Sequence, residues 1–242
     1  MPTTAHRAWL KRIGSYFVTQ LIWRDGLPYS ETYDDIYHAR AGAYAQAEAV
    51  FISGNDIIAR AQALGPDDEF QILETGFGLG SNFLQTCLAW SHSTQARLCF
   101  TSIEKHPLAS SDYQQAHQLF PNQDFLNSLL EKLDLRLTDT LIHLNSQLSL
   151  RYLHADVLWA LSKISSGSID VLYLDGFAPS KNPHMWSLPV CQELFRVAKP
   201  QASLATWCVA SLVRQNLSEA GFVVQKVAGF ADKKEMLTGI KP

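Results

Sequence analysis

No apolar run in this chain of 242 residues approaches the roughly 18 residues that a membrane-spanning helix needs. A secretory pattern is missing as well. Trp9-Leu10 runs straight into Lys11-Arg12, with neither an apolar core nor a small-residue cleavage site. The expectation is a cytoplasmic protein with no membrane partner. Cysteine is sparse: Cys87, Cys99, Cys191 and Cys208 stand singly in apolar surroundings, without a C-x-x-C and without clustered histidines. That argues against a zinc site or a disulfide framework and for buried free thiols. A basic excess is also lacking. With a formal charge of −3 the whole molecule is no electrostatic trap for nucleic acid, so any RNA contact must come from a local basic patch. Internal repeats and low-complexity tracts are absent.

What the chain does have is enough apolar content, 47%, for one large α/β core with an added N-terminal segment. Its most informative stretch is Ile72-Leu73-Glu74-Thr75-Gly76-Phe77-Gly78-Leu79-Gly80-Ser81-Asn82. An apolar strand ends on a carboxylate, and three glycines alternate before a helix begins. Such a loop lets a nucleotide-like ligand lie against bare backbone where a parallel strand stops. The dinucleotide fingerprint needs a third glycine three positions on, with an acid about 20 residues later. Here the pattern is G-x-G-x-G and Ser81 takes the place of that glycine. This spacing points instead to S-adenosylmethionine, which has no pyrophosphate to cradle.

Residues 1–65 do not read as the start of a doubly wound sheet, whereas strands and helices alternate over 66–242. The expectation is therefore a catalytic domain with an N-terminal extension packed on it. Strands are predicted at 70–75, 97–103, 148–154, 169–174 and 203–207, with 221–227 and 235–239 as a terminal antiparallel pair. Helices are predicted near 41–50, 56–64, 81–91, 108–119, 122–132, 157–164, 187–198 and 210–219. Seven mainly parallel strands with covered faces resemble the Rossmann-like sheet of class I methyltransferases.

In such sheets ligands bind beyond the carboxyl ends of the strands. Four acids fall at those ends: Glu74, Glu104, Asp156 and Asp175. Glu74 either supports the glycine loop or meets the cofactor's ammonium. Glu104 is placed to accept hydrogen bonds from ribose hydroxyls. Asp156 either accepts from the adenine amino group or caps the helix that starts at Val157. The cofactor set read from the sequence is thus Glu74, Gly76, Gly78, Gly80, Asn82, Glu104, Asp156 and Asp175. The second informative stretch is Asp175-Gly176-Phe177-Ala178-Pro179-Ser180-Lys181-Asn182-Pro183-His184-Met185-Trp186. Two prolines stiffen this loop, and Phe177 and Trp186 offer flat surfaces to a base. The alternative is that both aromatics only pin the loop to the core. An alkyl ammonium has no lone pair, so an amine acceptor must lose a proton before it attacks a methyl group. Asp175 either takes that proton or only orients the amine. Lys181, Arg214, Lys226, Lys233 and Lys234 are the candidate phosphate contacts.

These segments carry a family resemblance. Asp34-Asp35-Ile36-Tyr37, Val50 to Asn55, Glu74 to Gly78, Ser102 to Leu108, Asp175 to Trp186 and Lys233 to Leu237 are similar to the MnmC/MnmD tRNA-modifying methyltransferases. The resemblance covers most of the chain from about residue 25, and its D-G-F-A-P-x-K-N-P-x-M-W loop is specific. It departs at Leu79, where the family usually has Thr, at His184, where an acid is common, and at Ala231-Asp232. The resemblance implies S-adenosylmethionine-dependent methylation of the 5-aminomethyl group on the wobble uridine of tRNA. Asp175 would be catalytic, and Phe177, Lys181 and Trp186 would meet the substrate. In bifunctional members an FAD-dependent oxidoreductase follows and acts first; lacking a second glycine fingerprint, this chain is expected to be without that activity. Three other readings stay open: a methyltransferase for a small or protein amine, an NAD(P)-dependent oxidoreductase, and a non-catalytic RNA-binding subunit.

Overall fold

The computed structural model describes residues 21–118, 120–133, 135 and 139–242. The Trp9–Arg12 stretch, the first 20 residues of the extension and the end of the 108–119 helix at Leu119 lie outside the described residues.

A small antiparallel sheet opens the described chain: β1 (Ile22–Arg24), β2 (Leu27–Ser30) and β3 (Asp35–Ile36). Its hairpin turns on Asp25-Gly26, both with positive φ (50° and 76°), the geometry a two-residue loop needs to match strand twist. Helix α1 (Ala43–Gln46) continues into a π-helical segment, Ala47–Ile52. A left-handed Asp56 (φ 51°) then separates it from α2 (Ile57–Gln62).

Next come β4 (Glu69–Thr75), α3 (Ser81–Ser93), β5 (Arg97–Glu104), α4 (Ser110–His117) and α5 (Gln123–Leu130). They are followed by β6 (Leu141–His143), β7 (Leu148–His154), α6 (Val157–Leu161) and β8 (Ile169–Leu174). The chain closes with α7 (Leu188–Val197), β9 (Ala198–Thr206), α8 (Ser211–Ala220), β10 (Val223–Ala228) and β11 (Glu235–Ile240).

The main sheet has the order β10-β11-β9-β8-β4-β5-β7-β6. Strands β9, β8, β4, β5 and β7 run parallel, and β11 is antiparallel to both of its neighbours. The seven expected strands are all present, and the α/β class read from the sequence holds. β6 is an eighth, pairing antiparallel with β7. It is only three residues long and leaves Leu141 exposed, too short a pattern to read as a strand. β9 starts at Ala198 rather than 203 because its pairing with β8 is irregular there and Gln201 takes a left-handed φ of 64°.

Pleating sends neighbouring residues to opposite faces. Ile72 joins a core with Phe51, Ile57, Phe83, Phe100 and Leu150, under α2, α3 and the π-helical segment. Leu73 joins the other core with Ile103, Leu153, Leu172, Val190 and Val213, under α6, α7 and α8. Each such fully buried aliphatic contributes about 1.5–3 kcal/mol of transfer free energy. Phe51 stacks on Tyr173 with ring centroids 5.0 Å apart, and Arg60 Nη1 donates to Ser203 Oγ at 2.7 Å, so the segment before β4 is anchored on the sheet. Of the cysteines, Cys87, Cys191 and Cys208 are buried thiols, while Cys99 in β5 is only half-buried.

A cavity at the strand ends

The connection leaving β4 runs to β5 on one side, while β8 returns on the other. Sheet order therefore reverses between β4 and β8, and the crevice beyond their carboxyl ends is where such sheets bind ligands. A cavity of about 490 Å³ lies there. Its wall includes Gly76, Gly78, Asn82, Glu104, Asp156, Asp175 and Phe177 from the sequence-predicted set. Gly80, Glu74, Lys181 and Trp186 do not line it.

The glycine loop is shaped by close approach. Gly76 (φ 85°) donates its N–H to Ile103 O at 2.8 Å, and a Cβ there would meet the Asp175 carbonyl oxygen at 3.0 Å. Gly80 (φ 73°) has its role behind the wall: a Cβ would strike the Phe77 ring at 2.8 Å just as α3 begins.

Glu104 is held by two backbone donors, Gly78 N–H at 2.9 Å and His106 N–H at 2.7 Å. Burial raises its pKa, against the lowering effect of those donors. The Gly78 bond ties the end of β5 to the loop and leaves carboxylate lone pairs over. Asp156 caps α6, its Oδ1 accepting Leu158 N–H at 3.1 Å, and its Oδ2 lies 3.2 Å from Lys105 Nζ. Partial burial pushes its pKa up, but Lys105, the Leu158 N–H and His184 together outweigh that and hold it below the ordinary value.

Asp175 is the most constrained group. Oδ1 accepts Gly176 N–H at 2.8 Å and Trp207 Nε1–H at 3.1 Å; Oδ2 accepts Asn82 Nδ2–H at 2.8 Å. Burial raises its pKa to about 6, even though all three donors favour the ionised form. Glu74 lies behind Asn82, fully buried. It accepts from Asn82 Nδ2 at 2.9 Å and Ser102 Oγ at 2.5 Å, and burial lifts its pKa well above the ordinary 4.5. Of the two roles read for Glu74, this is the supporting position.

Phe177 stacks on Tyr33, centroids 4.5 Å apart, and meets the Tyr37 ring edge-on at 5.0 Å. Trp186 is buried and donates Nε1–H to Phe177 O at 2.8 Å, so it pins the loop. Lys181 is exposed and paired with Asp34. The other proposed phosphate contacts scatter. Lys226 pairs with Glu235 at 2.7 Å and Arg214 lines a separate shallow surface, whereas Lys233 is on the cavity wall. Sequence reasoning missed Tyr33, Arg40 and Trp207 as wall residues. Trp207 was within reach of it, because it follows β9 at the same level as the four acids. Tyr33 and Arg40 carry no such signal; the small N-terminal sheet brings them there.

The family model of S-adenosyl-L-methionine-dependent methyltransferases matches residues 121–242. The chain belongs to that family. Among curated relatives, the bifunctional tRNA 5-methylaminomethyl-2-thiouridine biosynthesis protein MnmC of Stutzerimonas stutzeri is 42% identical over 230 residues, covering 91% of this chain and 34% of that protein. The protein of the same name from Methylibium petroleiphilum is 41% identical over 216 residues, covering 88% and 32%. The chain thus spans about a third of the length of the curated relatives it matches. The crystal structure of MNMC2 from Aquifex aeolicus superimposes with a TM-score of 0.74 at 21% identity, covering 96% of this chain and 74% of that one, and so shares the fold. The expected family, class I fold and S-adenosylmethionine dependence therefore stand, and the NAD(P) reading falls. Among the described residues no helix is long and apolar enough to cross a membrane.

Proposed function

We propose that this chain N-methylates the 5-aminomethyl group on the wobble uridine of tRNA, giving 5-methylaminomethyl-(2-thio)uridine. One observation carries the reading. Asp175, a part-buried carboxylate on the cavity wall, is fixed by three donors, with its pKa raised to about 6, beside the loop that carries the family-specific sequence. The name of the MnmC relatives, a tRNA 5-methylaminomethyl-2-thiouridine biosynthesis protein, points to the acceptor.

The cavity suits S-adenosylmethionine. Bare backbone at Gly76 and Gly78 and the Glu104 carboxylate at the end of β5 face one space. In this reading Glu104 holds the ribose, the glycine loop approaches the sulfonium side, and Asp156 reaches the base while it caps α6. Glu74, Gly80 and Trp186 support these groups from behind the wall. Bound there, the cofactor would supply an electrophilic methyl group to the amine lone pair, with its own sulfur as the leaving group. Asp175 accepts the proton that frees that lone pair, or orients an amine that has already lost it to water. Phe177, backed by Tyr33, stacks on the base. The division into an extension (1–65) and a catalytic domain (66–242), and a place in the cytoplasm, belong to the same reading.

The acceptor must already bear a free primary amine. We place an FAD-dependent oxidoreductase, as a domain or a separate protein, in the step that uncovers it. The test is nucleoside mass spectrometry after incubating the protein with S-adenosylmethionine and aminomethyl-bearing tRNA. A gain of one methyl on the wobble nucleoside is expected. Cofactor binding without that gain, or transfer to small amines alone, removes the assignment.

A further inference from the structure

The turn between β10 and β11 places a cation on the cavity wall that the proposed reaction does not use. Lys233 Nζ sits 3.7 Å from the centroid of the Trp207 ring, whose own Nε1–H is on Asp175. The turn is closed by Gly229 N–H to Lys234 O at 3.0 Å and Lys233 N–H to Phe230 O at 3.1 Å. A Cβ on Gly229 would lie 2.3 Å from Lys233 O, so this closure of the turn needs glycine there. Lys233 forms no ion pair among the described residues, though Asp35, Asp232 and Glu235 share the wall. An aromatic face orients an ammonium without neutralising it.

We propose that Lys233 binds the carboxylate of the cofactor's amino-acid tail. The order of groups along the sheet gives the direction. Asp156 follows β7, Glu104 ends β5, the glycine loop follows β4, Asp175 follows β8 and Trp207 follows β9, in the spatial order β9-β8-β4-β5-β7. A nucleoside at Glu104 and Asp156 sends its tail across β4 towards β8 and β9. The tail carries one ammonium and one carboxylate. The loop carbonyls suit the ammonium, which leaves Asp175 to the acceptor amine; among the described residues the free cation at that end is Lys233. At the nucleoside end Lys105 and His184 are already on Asp156. Arg40 is the other unpaired cation on the wall, but it is exposed and no ring holds it. This inference rests on the family's cofactor and not on the tRNA reading.

The test compares two ligands that differ only in the carboxylate, S-adenosylmethionine and its decarboxylated form, by titration calorimetry on the whole chain. Wild type should prefer the carboxylate form about ten- to a hundredfold, the range of one charge-assisted contact. Lys233→Met should shrink the preference to within about threefold, with affinity for the decarboxylated form undiminished. Lys233→Arg should keep most of it. A wild type without preference, a preference that survives Lys233→Met, or equal weakening of both ligands overturns the proposal. So does its transfer to Arg40, seen as loss of preference in Arg40→Met. If Lys233→Met weakens only RNA binding, the lysine serves phosphate and the proposal also falls.

Discussion

The side-chain amide nitrogen of Asn82 lies 2.8 Å from Asp175 Oδ2, and its second hydrogen serves Glu74 Oε1 at 2.9 Å. One NH₂ group is therefore shared by a buried carboxylate, Glu74, and a part-buried one, Asp175. Two such acids close together do not ionise equally. Glu74 is the more deeply buried, and burial lifts its pKa well above the ordinary 4.5, whereas Asp175 is raised to about 6 and is largely ionised at neutral pH. Burial raises both acids, and the shared amide, donating to each, works against that rise.

Asp175 sets the first expectation. Its pKa is raised to about 6, so it is protonated below that pH and ionised above it. Only the ionised form accepts a proton, and kcat/KM should fall as pH drops through about 6. Asp175→Asn should lower kcat/KM by about 10²–10⁴-fold, the usual contribution of a positioned base, and abolish that limb. A limb that persists near 6 in the variant assigns the titration to another group and leaves Asp175 as an orienter.

Asn82→Ala removes a donor that favours ionised Asp175. The acidic limb should move upward in pH. Leaving two buried acceptors short of a partner costs about 1–3 kcal/mol each, so a large loss of thermal stability should accompany the shift. Calorimetric melts and pH–rate profiles of the same variant check both. An unmoved limb separates Asn82 from the titration.

Glu74→Gln distinguishes the two roles read for that residue. The folded pKa lies above the ordinary 4.5, so the folded state holds the proton more tightly than the unfolded state. Stability from this group is present at low pH and is lost as pH rises from about 4.5 towards the folded value. Gln has no proton to lose. The melting-temperature difference, variant minus wild type, should grow as pH is raised from 5 to 8, with cofactor affinity nearly unchanged. A tenfold or greater loss of S-adenosylmethionine affinity would instead mean direct contact with the ammonium.

Much of this was legible in the sequence because strand ends announce themselves. Apolar runs at 70–75, 97–103, 148–154 and 169–174 each stop at or just before an acid, and the sheet brings Glu104, Asp156 and Asp175 to one cavity. Burial depth was not legible. Alternation places Glu74 at the right end of β4 but does not say that Asn82 stands between it and the cavity. The roles of Phe177 and Trp186 were inseparable for the same reason. Both lie in one loop, and only packing shows that one faces the cavity while the other is a core residue. Asp25-Gly26 carried a two-residue hairpin signal, but its flanking strands are three and four residues long, too short for periodicity to register.

Gly76 gives a steric prediction. It holds a left-handed φ of 85°, and a Cβ would stand 3.0 Å from the Asp175 carbonyl oxygen, a backbone atom with nowhere to retreat. Gly76→Ala should lose about 1–3 kcal/mol of stability from strain and clash. It should also weaken S-adenosylhomocysteine binding more than tenfold, because the displaced backbone is the surface that faces the cavity. Titration calorimetry on the folded fraction checks this; an alanine variant with wild-type affinity would show that the ligand does not approach this loop.

The last expectation concerns how the loop after β8 is held. Asp35 Oδ2 accepts the Ala178 N–H at 3.0 Å, and neighbouring Asp34 pairs with Lys181. Both contacts join the small N-terminal sheet to the same loop, but they differ in kind. The Asp34–Lys181 pair is exposed, where screening and side-chain entropy leave little net stabilisation. The Asp35 contact is a part-buried, charge-assisted bond to backbone, a class worth about 1.5–3 kcal/mol. Asp35→Ala should therefore accelerate amide exchange at Ala178 by about tenfold or more and raise the acceptor KM, while Lys181→Met changes exchange there by less than about threefold. The reverse ranking, with Lys181 dominant, would move the anchor from the backbone bond to the surface charge pair and make loop order strongly salt-dependent.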